Sequence, residues 1–315
     1  MTDFPRIPFG SWVSSGVDFL TGTLRPLFDA LRAVFAFLYE WVAYALGAPP
    51  FWAVILVIAG LAFLAKGWRL AVGTVAGLLA ICAVDQWENA MATLALVLVA
   101  SSLAILLSVP LGVVAARSDL ASRIIRPVLD FMQTTPSFVY LIPALLLFRV
   151  GVVPGIVATV VFAMAPGVRL TELGIRGVDQ EVVEAGHAFG SSRWRILRTI
   201  QLPLARPSIM AGINQVIMLS LSMVVIAGLV GAGGLGGQVV ASLSRIDVAL
   251  GAEAGVSVVI LAIILDRTTG ALGGARTPRA RRIRRSPRSA AAGSRTADGG
   301  TTEGAPAREP VGASA

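Results

Sequence analysis

One polar stretch, from Glu184 to Pro203, interrupts a sequence that is otherwise strongly apolar. It reads E-A-G, three residues, G, nine residues, then I-x-L-P. The pattern predicts a short helix, a sharp turn at Gly190, a second helix and a stop at Pro203, because glycine tolerates left-handed backbone and proline cannot continue a helix. Gly186 costs the first helix about 1 kcal/mol relative to alanine but keeps its surface small. We call this predicted protrusion, residues 184–203, the knob. Its expected role is to be bound and displaced by a soluble partner protein.

Residues of the kinds that carry catalysis are few and isolated. His187 is the only histidine and Cys82 the only cysteine, so we expect no metal site, and His187 either contacts a partner or lies on a solvated helix face. Gly231, Gly233 and Gly236 match the dinucleotide fingerprint G-x-G-x-x-G, but they follow an apolar segment rather than a strand, which predicts a tight surface or re-entrant loop. The sequence holds no G-x-x-x-x-G-K-[ST] phosphate loop. These features indicate a protein that is not itself an enzyme.

A second candidate set consists of polar and aromatic side chains within or at the ends of apolar segments: Phe138, Tyr140, Asn214, Gln215, Ser220 and Ser222. Polar groups inside a membrane either bond across helices or line a wet path. Aromatic rings at segment ends either anchor the chain at the interface or offer their faces to a cation. A translocation path is therefore the functional interpretation of this set, and helix packing or anchoring is its alternative.

The amino-acid composition indicates that these candidate residues belong to a membrane protein. Of 315 residues, 56% are hydrophobic and only 14% are charged, a balance that excludes an ordinary soluble protein. Apolar segments approach the ~20 residues that span a bilayer, so we predict an all-α polytopic membrane protein. The net charge is +8, but seven arginines lie between Arg276 and Arg288 with no aromatic residue among them, which argues against nucleic-acid binding.

Seven apolar segments predict transmembrane helices: 51–65, 70–84, 92–115, 131–148, 153–168, 209–230 and 250–265. The segment 28–46 would be an eighth, but Asp29, Arg32 and Glu40 favour an interfacial helix over a spanning one. Basic connections, including Lys66, Arg117 and the 169–206 segment, fall on one side, which the positive-inside rule places in the cytoplasm. The glycine-rich 231–249 segment is predicted to be an outer loop.

Several strings carry a resemblance to a known family. The Glu184–Pro203 pattern closely resembles the cytoplasmic coupling motif of ABC importer permeases, E-A-A-x3-G-x9-I-x-L-P. The string Q-T-T-P-S-F-V-Y-L-I-P and the segments 209–227, 233–236 and 261–267 resemble the permease subunit of glycine betaine/proline betaine importers, the quaternary-amine branch. The resemblance covers roughly 51–270. One departure is Arg149, where a glycine is expected; its side chain either snorkels to the outer surface or lines the mouth of the pore.

This resemblance implies a type I ABC importer transmembrane domain and an ATP-driven uptake of osmoprotectants. Two permease copies would form the pore, an ABC ATPase subunit would bind the inner loops with its ATP and Mg²⁺, and an external solute-binding protein would deliver the substrate. No cofactor is expected in this chain. The residues that match the coupling motif would contact or support the ATPase: Glu184, Ala185, Gly186, Gly190, Ile200, Leu202 and Pro203.

The resulting domain plan has four parts and a multi-pass location in the inner (cytoplasmic) membrane, in contact with its lipids. Residues 1–50 form an amphipathic interfacial region, 51–87 two accessory transmembrane helices, 88–267 the permease domain with its coupling loop at 171–207, and 268–315 an arginine-rich, disordered cytoplasmic tail. An importer of choline, carnitine or an amino acid is an alternative in the same class. A secondary transporter is an alternative outside it and predicts ion-coupling carboxylates within the spans.

Overall fold

The computed structural model describes residues 8–273, and within that range the chain is helical, with no strand. Its thirteen α-helices are α1 (Phe9–Thr23), α2 (Arg25–Gly47), α3 (Phe51–Lys66), α4 (Trp68–Ala83), α5 (Trp87–Arg117), α6 (Asp119–Thr134), α7 (Leu141–Phe148), α8 (Val152–Arg176), α9 (Gln180–Ala188), α10 (Arg193–Ile196), α11 (Leu202–Gly228), α12 (Gly234–Arg245) and α13 (Val248–Gly273).

The centre of the bundle is the packing of α8 against α5 and α11. Glycines allow this packing: a Cβ placed on Gly112 of α5 would lie 2.5 Å from the Cβ of Thr171, and one on Gly167 of α8 would lie 2.5 Å from Ser108 Oγ. Small residues at such positions let helix backbones approach closely, which is how helices associate in a membrane. These three helices therefore form a close-packed unit around buried Val97, Ile156 and Val216.

Five helical stretches in the described part of the chain are long and apolar enough to cross a membrane: α2, α5, α8, the continuous α10–α11 stretch and α13. The predicted seven spans are not confirmed as a count. Helices α3 and α4 have 16 residues each, about 24 Å of helix, which falls short of a typical ~30 Å hydrocarbon core.

The predicted span 131–148 is not one helix. Helix α6 ends at Thr134. The stretch that follows, a 3₁₀ turn at Ser137–Tyr140 and α7, is bent by 108° relative to α6. Pro136 explains the break, because a proline disfavours helical backbone at the residue before it and supplies no backbone donor. The Tyr140 hydroxyl donates a hydrogen bond to the Met132 carbonyl at 2.6 Å and braces the bend.

The predicted outer loop 231–249 contains a helix, α12. Gly231, Gly233 and Gly234 adopt positive φ angles and turn the chain back. The Leu235 amide then donates to Thr93 Oγ1 at 2.8 Å, and Gly236 lies against the backbone of Val224. The fingerprint-like glycines thus permit a tight turn, as the predicted tight loop requires, but they also permit the close helix contact of α12, which the loop prediction did not include.

Helix α2 meets the rest of the bundle at both of its ends. Phe28 stacks edge-to-face on Phe148 with ring centroids 5.6 Å apart, while Leu46 packs against the cluster that contains Val54 and Leu235. In the predicted topology Phe148 lies at the outer end of its segment, and α2 leads through three residues into the outer start of α3. Arg149 has a φ of +64°, and its guanidinium lies 3.9 Å from Asp29 of α2, so the departure from glycine supplies an inter-helix ion pair.

Helix α13 continues to Gly273, past the predicted end of the permease domain at 267. Thr269 supports this extension, because its hydroxyl donates to Asn214 Oδ1 on α11 at 2.8 Å. The arginine run 276–288 and the rest of the predicted tail lie outside the described residues.

Candidate functional site

The first helix of the predicted knob is α9. Asp179 caps its start, since the side-chain oxygen accepts a hydrogen bond from the Glu181 amide at 3.0 Å. Glu181 lies in the first turn, where a carboxylate also interacts favourably with the helix dipole. The local sequence therefore fixes where this helix begins.

The sharp turn at Gly190 is confirmed. Gly190 has a φ of +72°; its amide donates to the His187 carbonyl at 2.8 Å, and the Ser191 amide donates to the Gly186 carbonyl at 3.1 Å. This pair of bonds is the Schellman arrangement, in which a left-handed glycine ends a helix and satisfies its last carbonyls.

The predicted stop at Pro203 is wrong. Ser192 caps α10 by accepting from the Arg195 amide at 3.3 Å, a π-helical segment follows at Leu197–Gln201, and the chain continues without a break into α11. The Leu202 amide bonds to the Leu197 carbonyl, five residues back. This wider turn accommodates Pro203 in the first turn of α11, where a missing amide hydrogen is tolerated.

Three of the predicted coupling residues hold the knob together instead of forming its surface. Gly186 is buried, and a Cβ there would lie 2.9 Å from Ile200 Cδ1 and 3.2 Å from Ile196 Cγ1. Ile200 and Leu202 pack on a buried cluster that joins α8 and α11 and consists of Ile175, Val178, Leu197 and Ala205. The knob is therefore rigidly attached to the bundle through its inner face.

The opposite face of the knob is free within the described chain. Glu184, Ala185, Gly190 and Pro203 are all exposed, and Phe189, just before the turn, is 89% exposed. Phe189 is not among the residues predicted to contact the ATPase. Its signal was present: an aromatic residue directly before a turn glycine in a polar loop has no core to enter, and exposed aromatic side chains are typical anchors of protein interfaces.

Positive charge surrounds this face. Arg193, Arg195 and Arg198 are exposed, and the Arg117 guanidinium lies 5.7 Å from the ring centroid of Trp194, which is itself 57% exposed. The surface combines aromatic side chains with guanidinium groups, the composition that favours protein–protein recognition.

The candidate path residues separate into two groups. Asn214 bonds across helices, donating to Asp266 Oδ1 at 3.3 Å and accepting from Thr269. Ser220 is buried and donates to the Val216 carbonyl at 2.8 Å, and Tyr140 braces the α6–α7 bend. These bonds fit the alternative of helix packing for the three side chains, and their place on a translocation path stays a prediction.

Gln215, Ser222 and Phe138 remain exposed. Gln215 and Ser222 are seven residues apart on α11, so they lie on one face of the helix. The Ser222 hydroxyl donates to the Met218 carbonyl of its own helix at 3.1 Å. A polar face on an apolar helix is what the path interpretation requires, and these residues keep that role as a prediction.

Comparison with known proteins gives a family match over residues 108–279, to the model described as "Binding-protein-dependent transport system inner membrane component". The chain is 47% identical over 267 residues to the glycine betaine/proline betaine transport system permease protein ProW of Escherichia coli, covering 85% of this chain and 75% of the relative. It is 46% identical over 277 residues to the glycine betaine/carnitine transport permease protein GbuB of Listeria monocytogenes, covering 86% and 97%.

Among solved structures, an inward-facing form of the MetNI methionine ABC transporter is similar, with a TM-score of 0.55 and 21% identity. The similarity covers 60% of this chain and 94% of that one. At this identity the comparison concerns the fold alone.

Proposed function

Because the chain belongs to the family of binding-protein-dependent transport system inner membrane components, we propose that it imports glycine betaine and related quaternary-amine solutes. The chain is the permease subunit of an ABC importer in the inner membrane, with the type I fold. The substrate proposal is supported by ProW and GbuB, whose names give glycine betaine as cargo.

The observation that carries the mechanism is the exposed face of the knob, with Phe189 before the Gly190 turn. An ATPase subunit, which holds ATP and Mg²⁺, docks on this face, and two permease copies form the pore. Closure of the ATPase dimer displaces α9 and α10, and the rigid attachment through Gly186 and Ile200 passes that displacement to the bundle. A solute-binding protein delivers the cargo from outside.

Uptake of radiolabelled glycine betaine tests this function. The permease is reconstituted in proteoliposomes with its ATPase and binding protein, with and without internal ATP. We expect uptake that needs ATP and all three components and that unlabelled proline betaine competes. ATP-driven uptake of choline, carnitine or an amino acid instead would replace the cargo, and uptake by the permease alone would refute ATP coupling.

Two substitutions separate coupling from folding in the same assay. Gly190→Val forces a β-branched residue into left-handed backbone, and Glu184→Lys reverses an exposed charge. Both variants should insert into the membrane as the wild type does but lose ATP-driven uptake. Normal uptake in both would remove the knob from the mechanism.

We also propose that α2 lies in the interface on the outer side of the inner membrane and does not span it. Both of its ends lie near helix ends that the predicted topology places on the outer side, and its Phe37, Trp41 and Tyr44 side chains are exposed, as expected of an interfacial aromatic stripe. In a Cys82→Ala background, Arg25→Cys should react with an impermeant maleimide added to intact cells. Reaction only after permeabilisation would indicate a spanning helix.

A further inference from the structure

The side chain of Glu172, on α8, is a carboxylate inside the protein. Its side chain is 4% exposed, and among the residues whose burial the structure describes it is the only charged one that is buried. Three groups converge on its Oε1 atom: the Ser122 hydroxyl donates at 2.7 Å, Arg126 Nη2 donates at 2.9 Å, and Arg176 Nε lies at 3.1 Å. A buried charge of this kind is retained only where its partners compensate it.

The partners of Glu172 join three helices. Ser122 and Arg126 belong to α6, whereas Arg176 is the last residue of α8. Arg176 also donates to Asp119 Oδ1 at the start of α6 at 2.8 Å and to the Ala115 carbonyl near the end of α5 at 2.9 Å. The two arginines and two carboxylates balance in charge, so the network is a neutral clasp between α8 and the α5–α6 corner.

This clasp lies next to the knob. Helix α9 begins at Gln180, four residues after Arg176, and the connection is short and braced, since the Gly177 amide donates to the Leu173 carbonyl at 2.8 Å. Val178 in that connection is buried among Leu197 and Ala205. A displacement of the knob therefore reaches the C-terminal turn of α8 without a flexible linker.

Apart from this network and the Arg169–Asp130 ion pair, α6 is attached to α8 by a small apolar cluster of Leu129, Ala165 and Val168. Separating the two helices would remove Ser122 and Arg126 from the buried carboxylate of Glu172 and leave it only Arg176 of its own helix, which is more costly than separating surface charges. Beyond α6 the chain passes through the bend braced by Tyr140 to the exposed Phe138.

We propose that Glu172 is a positioning residue for transport: its pairing with Arg126 and Arg176 makes α6 follow α8 when the ATPase displaces the knob. The proposal rests on the proposed function, because it needs an ATPase to drive the knob. Without the clasp, α8 moves and α6 lags, so ATP is hydrolysed without solute movement.

The test measures ATP hydrolysis and glycine betaine uptake in the same proteoliposomes. Glu172→Gln removes the charge but keeps an oxygen for Ser122, and Arg126→Gln removes one partner whose side chain is 60% exposed, so at least the second variant should fold. We expect the ATP hydrolysed per solute imported to rise about tenfold in each. Arg126→Lys, which keeps the charge, should restore a ratio near that of the wild type.

Asp130→Asn is the matched control, because it breaks an exposed ion pair on the same two helices and should leave the ratio unchanged. If hydrolysis and uptake fell in proportion in the Glu172 and Arg126 variants, or if their ratio stayed within about twofold of the wild type, the clasp would have only a structural role. Failure of the proposed function would be distinct, since the wild-type complex itself would then show no ATP-dependent uptake.

Discussion

Helix α8 has two seams that are built in opposite ways. Against α5 and α11 it packs through glycines and small residues, with Gly112 and Gly167 at backbone distance from their neighbours. Against α6 it is held mainly by ionised side chains, with Glu172 at the centre of the network. The interface with α5 and α11 has close backbone contact and almost no polar bonds. The interface with α6 has polar bonds and little close contact.

In the proposed mechanism, this difference determines how a displacement of the knob is passed to the neighbouring helices. A close-packed seam has no second arrangement at similar energy, so α5, α8 and α11 move together as one body. An ion-paired seam can tilt or slide while its charges stay paired, because long side chains adjust their torsion angles. Helices α5, α8 and α11 thus form a rigid unit, and the ion-paired interface allows α6 to change its angle while it moves with α8.

Gly112→Val disrupts the close-packed interface between α5 and α8 and should have the largest effect on stability. The added side chain would meet Thr171 and the Val168 carbonyl, and overpacking of this kind costs about 3 kcal/mol. The free energy of unfolding is measured by denaturant titration in detergent micelles. Gly60→Val is the control, because a Cβ on Gly60 meets nothing within 4 Å; equal losses in both variants would contradict the account.

Ser122→Ala weakens the ion-paired interface between α6 and α8 without removing a charge. It deletes the 2.7 Å hydrogen bond to the buried carboxylate of Glu172, and a bond to a charged group is worth about 2 kcal/mol. The same titration should show this loss. A change below about 0.5 kcal/mol would mean that water or another donor replaces the hydroxyl and that the seam is less closed than described.

Asp130→Asn should have the smallest effect. Asp130 pairs with Arg169 between the same helices, but its side chain is 63% exposed, so solvent screens the pair and its removal should cost no more than about 1 kcal/mol. A loss as large as that of Ser122→Ala would show that burial is not what distinguishes the two parts of the seam.

Much of this architecture is predictable from the sequence where the signal is local. The membrane location, the class of fold and the turn at Gly190 follow from composition and from the conformational freedom of one glycine. The start of α9 is also determined by the local sequence, because Asp179 caps the helix.

The features that sequence reasoning missed depend either on partners far away in the chain or on backbone geometry that leaves no sequence pattern. Glu172 looked like one more residue of a basic cytoplasmic segment, and its burial depends on Ser122 and Arg126, about fifty residues earlier. Pro203 failed as a stop because a π-helical turn just before it shifts the hydrogen bonds, a feature with no clear sequence pattern. The helix α12 was missed because glycines that serve close packing resemble glycines that serve loops.

In the proposed mechanism, an ATPase acts on the exposed face of the knob. Replacing Phe189 by the photoreactive p-benzoylphenylalanine tests this contact in a reconstituted complex whose ATP-driven uptake has been verified. Ultraviolet light should link the permease to the ATPase from this position but not from Phe63, which is exposed on α3. A transporting complex that gives no ATPase adduct at position 189, or an equal adduct at position 63, would contradict the account.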